Sequence, residues 1–146
     1  MLFRDEDEND ELLPFSDRSE AGRVLATMLS AYSGRGNVIV LGLPRGGVPV
    51  AFKVAHALRL PLDVFVVRKL GTPWHKELGM GAIAPEGVQV LDISLAQRLS
   101  VSEEEIHKLI AGERKELKRR KRLDRGNRAP LELRAKVVIL VGDGIA

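Results

Sequence analysis

The sequence predicts an α/β fold built on a parallel sheet, and three features carry that prediction. Val38 to Leu41 is a short apolar run that passes straight into the turn Gly42-Leu-Pro-Arg-Gly-Gly47, the pattern of a strand buried on both faces. Strand, turn, helix and second strand then follow within about thirty residues, the length of a βαβ unit. A further apolar run, Val137 to Val141, ends in Gly142-Asp143-Gly144.

The chain has 146 residues, which favours one domain. Residues 1–15 read as an acidic N-terminal tail and 16–146 as a single domain. A hydrophobic content of 45% suffices for an ordinary core, and a charged content of 29% is normal for a globular protein. The absence of cysteine excludes a disulfide framework and a thiolate metal site, and fits a cytoplasmic location. No apolar run approaches the ~20 residues of a spanning helix, so no membrane partner is expected. The opening Met-Leu-Phe-Arg turns acidic at once and does not read as a signal peptide. The net charge of +3 is unevenly spread: residues 1–12 hold six acids and one arginine, whereas residues 102–128 hold ten Lys or Arg against six acids.

In sequence order, DEDENDE at 5–11 reads as a solvated terminus. Asp17 with Glu20 forms a capping-box pattern. Ala21, Val24, Leu25, Met28, Leu29 and Tyr32 then recur at helical spacing, predicting an amphipathic helix over 18–32, ended by Ser33-Gly-Arg-Gly36. After the first strand, Pro49 suits a first helical turn. Val50 to Leu58 is apolar nearly all round, which predicts a largely buried helix, broken by Arg59-Leu-Pro61. Leu62 to Val67 is a second strand by its β-branched and aromatic content, parallel to the first with a right-handed crossover. Residues 72–85 show no period and read as a long connection of the kind that serves as a lid. Gly79-Met-Gly-Ala-Ile-Ala84 formally matches a dinucleotide fingerprint but does not follow a strand, and is set aside. Residues 87–92 alternate and predict an edge strand, antiparallel. Ser102 and Glu105 form a second capping box, opening a helix with Ile106, Leu109, Ile110 and Leu117 on one face. That basic helix covers about 102–125.

The turn at 42–47 is short, glycine-rich and carries Arg45, the build of an anion-binding loop leading into a helix N-terminus. Arg68 and Lys69 close the second predicted strand. In open α/β sheets ligands bind outside the carboxyl ends of the strands, so two basic loops fall on one edge; the alternative is a pair of solvated surface cations. Asp143 stands at the same end of the last strand, where an acid can accept from ribose hydroxyls or hold Mg2+ together with phosphates. Other chemistries lack their residues. No serine sits in a Gly-x-Ser-x-Gly elbow, His56, His75 and His107 have no metal-ligand spacing, and no P-loop lysine motif is present. A cationic loop for pyrophosphate and an acid for ribose suggest a phosphorylated sugar as ligand.

These residues resemble the small bacterial type I phosphoribosyltransferases. The matching stretches are Gly42-Leu-Pro-Arg-Gly-Gly-Val-Pro-Val-Ala51, Val67-Arg-Lys-Leu-Gly71, Glu77-Leu-Gly-Met-Gly-Ala-Ile-Ala84 and Val138-Ile-Leu-Val-Gly-Asp-Gly-Ile-Ala146. The resemblance covers nearly the whole sequence. It implies a Rossmann-like parallel sheet with helices on both faces. Arg45, Gly46 and Gly47 would receive the pyrophosphate of phosphoribosyl pyrophosphate (PRPP), with Arg68 and Lys69 adding charge. Residues 72–82, with His75, Lys76 and Glu77, would form a mobile loop over the reacting centre. Asp143 would hold ribose or Mg2+. The implied reaction displaces pyrophosphate from the anomeric carbon by a nitrogen nucleophile, with Mg2+ and the cations stabilising the leaving group. No catalytic side chain is assigned. Two departures stand out: Gly142 replaces the first acid of the PRPP motif, and the motif's Thr-Gly-x-Thr turn does not follow. The expectation is therefore a sequence truncated within that motif at its C-terminus, a fold incomplete there, and inefficient transfer by these 146 residues alone.

Two other readings stay open at this point. One is a non-catalytic truncated homologue that survives by forming a homodimer or larger oligomer. The other is an RNA-binding or regulatory module using Lys118-Arg-Arg-Lys-Arg122, although the six acids in that segment and its lack of aromatic residues favour a solvated, ion-paired helix.

Overall fold

A computed structural model describes residues 15–144; the acidic segment at 5–11 lies outside them. Two three-stranded sheets organise the fold. The first has the order β2-β1-β6, with β1 spanning Val38–Gly42, β2 Leu62–Val64 and β6 Val137–Val141. Both neighbours run parallel to β1, and Gly42 is in register with Val64 on one side and Val141 on the other. Every residue of β1 is buried, as its unbroken apolar run predicts. The second sheet is antiparallel, in the order β3-β4-β5, with β3 Arg68–Gly71, β4 Gly79–Ile83 and β5 Gln89–Leu91.

Helix α1 (Arg18–Met28) and helix α2 (Gly47–Leu58) pack together and cover one face of the parallel sheet. Val38, Val40, Val50, Ala51, Val54, Leu58 and Val141 form the cluster between them. The helices approach closely at Gly22, where a Cβ would stand 2.5 Å from the Cβ of Lys53. Asp17 caps α1 by accepting from the Glu20 amide. The Glu20 carboxylate accepts from Ser16 rather than from the cap amide, so only half of the expected box forms. The helix also stops at Met28, and a separate 3-10 turn, Ser30–Tyr32, completes the apolar stripe. Helix α2 carries Pro49 in its first turn as expected, but it is not buried all round. Phe52 is 54% exposed and stacks on His56, on the side away from the sheet.

The second predicted strand divides. Residues after Val64 leave the parallel sheet, and Arg68 opens β3 instead of closing β2. Thr72 to Pro85 likewise does not remain a loop, because its second half pairs as β4. Small residues hid a strand period here, and one of them is required by the pairing: a Cβ on Gly81 would strike the backbone of Val90. The edge strand at 87–92 is present as β5, antiparallel. A short helix α3 (Ile93–Arg98), capped by Asp92, was not foreseen.

Helix α4 (Glu103–Arg125) begins with the full Ser102/Glu105 capping box. It lays Ile106, Leu109, Ile110 and Leu117 onto the antiparallel sheet against Val66, Leu70 and Ile83. Strand β6 has the expected span but not cover on both faces, since Val138 and Leu140 are 38% and 51% exposed. Among the described residues no helix is long and apolar enough to cross a membrane.

An ion pair at Asp63 ties α4 to the parallel sheet. Arg125, at the end of α4, donates through Nε and Nη2 to the two carboxylate oxygens of Asp63 on β2, each at 3.0 Å, and again to the Ala129 carbonyl at 2.9 Å. Both side chains are largely buried. Desolvation raises the Asp63 pKa, but hydrogen bonds from Arg125 and the Val64 amide, with the charges of Arg125 and Arg128, outweigh it and hold the carboxyl below its usual 3.8. A depressed carboxyl contributes stability that is present above the unfolded value and lost as pH falls through the folded one. Asp63→Asn should therefore lower stability by about 3 kcal/mol at pH 7, because it strands Arg125, and should flatten the loss of stability below pH 3.8. Urea unfolding at neutral and acid pH measures both, and an unchanged midpoint would show that the pair is dispensable.

Candidate functional site

The site follows from the parallel register. Because Gly42, Val64 and Val141 lie level, the segments that leave β1 and β6 emerge side by side. The Leu43 amide donates to the Val141 carbonyl at 2.8 Å and fastens the two. The turn then folds on itself, with Gly47 N–H donating to the Leu43 carbonyl and Val48 N–H to the Arg45 carbonyl. No described residue accepts from the amides of Arg45 and Gly46, and Gly46 supplies no side-chain cap to α2. Free amides at a helix start are suited to an anion.

Asp143 lies against this turn. A Cβ on Gly46 would overlap its carboxylate oxygen Oδ2, and a Cβ on Gly47 would come within 2.5 Å of the Val141 carbonyl oxygen. The two glycines are thus a requirement of close approach between the β1 turn and the β6 end. The same Oδ2 accepts from Arg18 Nη2 at 3.0 Å. Arg45 is exposed and forms no ion pair with any described residue. One set of expected residues, Arg45, Gly46, Gly47 and Asp143, is therefore brought together.

Arg68, Lys69, Lys76 and Glu77 form a second group elsewhere. They line a cavity of about 290 Å³ with Thr72, Leu109 and Glu113, between the β3–β4 hairpin and α4. Arg68 Nε donates to Glu113 at 2.8 Å, so its charge is partly answered, whereas Lys69 and Lys76 have no ion-pair partner among the described residues. Three cations face two carboxylates there. Among the described residues no hydrogen bond or ion pair links this group to the Arg45 turn. His75, Lys76 and Glu77 do lie in a connection, but it spans 72–78 and not 72–82. Buried Thr72 organises it: its hydroxyl donates to the His75 carbonyl at 2.8 Å and accepts from the His75 amide at 3.0 Å. His75 itself is exposed and does not line the cavity.

Two residues of these sites were missed in the sequence. Arg18 reaches Asp143 across 125 positions, and Glu113 reaches Arg68 across 45; neither spacing leaves a local pattern. The basic run on α4 largely serves the fold. Arg119 and Arg120 pair with Glu116, and Lys121 pairs with Glu86, while Lys118 and Arg122 face solvent. Among the described residues no three acidic or histidine side chains gather as a metal site.

An α/β architecture with a parallel sheet, and a glycine turn and an acid at the carboxyl ends of its strands, is that of a protein whose ligand edge is set by strand direction. Comparison with known proteins narrows the class. Two proteins from strains of Mycobacterium tuberculosis, each named putative phosphoribosyl transferase, are 46% identical to this chain over 132 residues. The match takes in 90% of this chain but only 30% of theirs, so the sequence spans less than a third of the curated relatives' length. The crystal structure of TT1426 from Thermus thermophilus matches with a TM-score of 0.67 at 36% identity, over 90% of this chain and 62% of that one. No family model matches. These similarities support a phosphoribosyltransferase-like family.

The Thr72 staple is testable. Thr72→Val keeps the volume and removes both hydroxyl bonds, and should cost about 1–3 kcal/mol because the His75 amide is left without its acceptor. Thermal unfolding and hydrogen exchange at the His75 amide would report it, and unchanged values for both would contradict it.

Proposed function

We propose that the protein belongs to a phosphoribosyl transfer enzyme that binds PRPP, and that the turn Arg45-Gly46-Gly47 receives the pyrophosphate. The observation that carries this reading is the placement of Asp143 against Gly46, which sets an acid for the sugar beside a cationic, amide-rich turn. The reaction would break the bond between the anomeric carbon and pyrophosphate oxygen and form a bond to a nitrogen nucleophile. The electron pair leaves with pyrophosphate, so charge grows on the leaving group as the sugar gains oxocarbenium character. Arg45 and the free amides of Arg45 and Gly46 would meet that charge.

Mg2+ carried on the substrate would need little from the protein, since it usually takes one or two carboxylates and the rest of its shell from phosphates and water. Asp143 is the residue that would hold it, or would accept from the ribose hydroxyls. When bound, Mg2+ neutralises charge on the departing pyrophosphate. Gly142 provides no second carboxylate, which favours binding of the pyrophosphate end over a firm hold on the ribose.

Isothermal titration with pyrophosphate and with PRPP, each with and without Mg2+, tests the proposal. Saturable binding is expected, and Arg45→Ala should weaken it about tenfold or more by removing a charge-assisted bond. Absence of heat with both ligands would overturn it.

A second reading draws on the exposed Val138 and Leu140 of β6: two copies of the protein associating through this strand. Sedimentation should then show a dimer that Leu140→Lys dissociates. A wild-type monomer at high concentration would remove that reading.

A further inference from the structure

We propose that Arg18 is an anion-binding residue of this site, which gives up the Asp143 carboxylate and takes an oxygen of the incoming pyrophosphate in its place. The inference rests on the pyrophosphate reading of the Arg45 turn and adds a residue from another element to it.

Three observations point to Arg18. First, its position works against its own helix. It is the first residue of α1, where the helix dipole favours an acid and disfavours a cation; Asp17 as cap and Glu20 in the first turn already meet that preference. Second, the ion pair contributes little to stability. The side chains of Arg18 and Asp143 are 61% and 45% exposed, and exposed pairs of this kind are worth little. Third, one atom joins everything. Asp143 Oδ2 is both the acceptor from Arg18 Nη2 at 3.0 Å and the atom that a Gly46 Cβ would overlap. That oxygen marks a point within reach of a guanidinium and in contact with a turn whose amides at Arg45 and Gly46 are free. An anionic oxygen arriving there meets the Arg18 guanidinium and the start of the Arg45-Gly46 turn, and is opposed by the Asp143 carboxylate.

Exchange resolves that opposition. Arg18 turns to the ligand oxygen, where guanidinium geometry suits a phosphate group. The Asp143 carboxylate is released without loss of a buried partner, and becomes available to the sugar hydroxyls or to Mg2+. Asp143 therefore stands at the anion position, held there by Arg18 until a ligand oxygen displaces it.

The test is pyrophosphate titration of the 146-residue protein with R18Q, R18K, D143N and the R18Q/D143N pair, each checked by thermal unfolding. R18Q should weaken binding about tenfold with an unchanged thermal midpoint, and R18K should restore part of the loss. D143N should bind pyrophosphate at least as tightly as wild type. In the D143N background the ion pair is already gone, so R18Q cannot act through it or through its stability; the same loss there shows direct contact. If R18Q weakens wild type but not D143N, Arg18 only screens Asp143 and the exchange is wrong. If R18Q binds as wild type while R45A does not, Arg18 is outside the site and the pyrophosphate reading stands. If wild type takes no pyrophosphate, both fall.

Discussion

Parallel pairing of β1 with β2 and β6 is the constraint on which the rest of the structure depends. It buries the five residues from Val38 to Gly42 completely and sets Gly42 level with Val64 and Val141. A slip of one residue would turn Val38 and Val40 away from α1 and α2, and would separate the Leu43 amide from the Val141 carbonyl. Asp143 lies two residues beyond that carbonyl, so its contact with Gly46 follows from strand register. The site's geometry is thus inherited from the core, and loop sequence adds the choice of glycine and arginine.

Charge is used differently in the two layers. On α4, Arg119, Arg120, Lys121 and Arg125 all hold carboxylates, and the Arg125–Asp63 pair joins the helix to the parallel sheet. Glu116 and Asp63 are both held below the usual carboxylate range, chiefly by hydrogen bonds from Arg119 in the first case and, against desolvation, from Arg125 in the second. At the Arg45 turn and in the hairpin cavity, by contrast, Arg45, Lys69 and Lys76 have no such partners among the described residues. Cations left unpaired near free amides or a concave surface are the ones available to a ligand.

The parallel half of the fold was legible in the sequence because its signals are local: an unbroken apolar strand, a glycine turn, Pro49 at a helix start and the Ser102/Glu105 box. The antiparallel half was less so. Gly79, Gly81 and Ala82 carry no strand pattern; the smallness of Gly81 answers to backbone contacts from β5, and that of Gly79 to the Lys69 side chain on β3, neither of which a short window shows. Reading Val64 to Val67 as one strand with Leu62 put Arg68 and Lys69 at the end of a parallel strand, whereas they open β3 of the antiparallel sheet; nothing in four apolar residues marks where the backbone switches partners. Of the candidate site, the Arg45 turn and Asp143 were found from their positions after strands. Arg18 could not be, because a cation in an amphipathic helix looks the same whether it faces water or an acid 125 residues away.

The separate apolar clusters have an evolutionary consequence. The Arg45 turn rests on the cluster of α1, α2 and the parallel sheet, while the hairpin cavity rests on Val66, Leu70, Ile83, Ile110 and Leu117. Substitutions that reshape the cavity need not disturb the packing that fixes Gly46 and Asp143. A lineage of such proteins can therefore vary the cavity lining while the turn stays the same, and sequence divergence should accumulate on the cavity-lining positions of β3, the 72–78 connection and α4 faster than on β1.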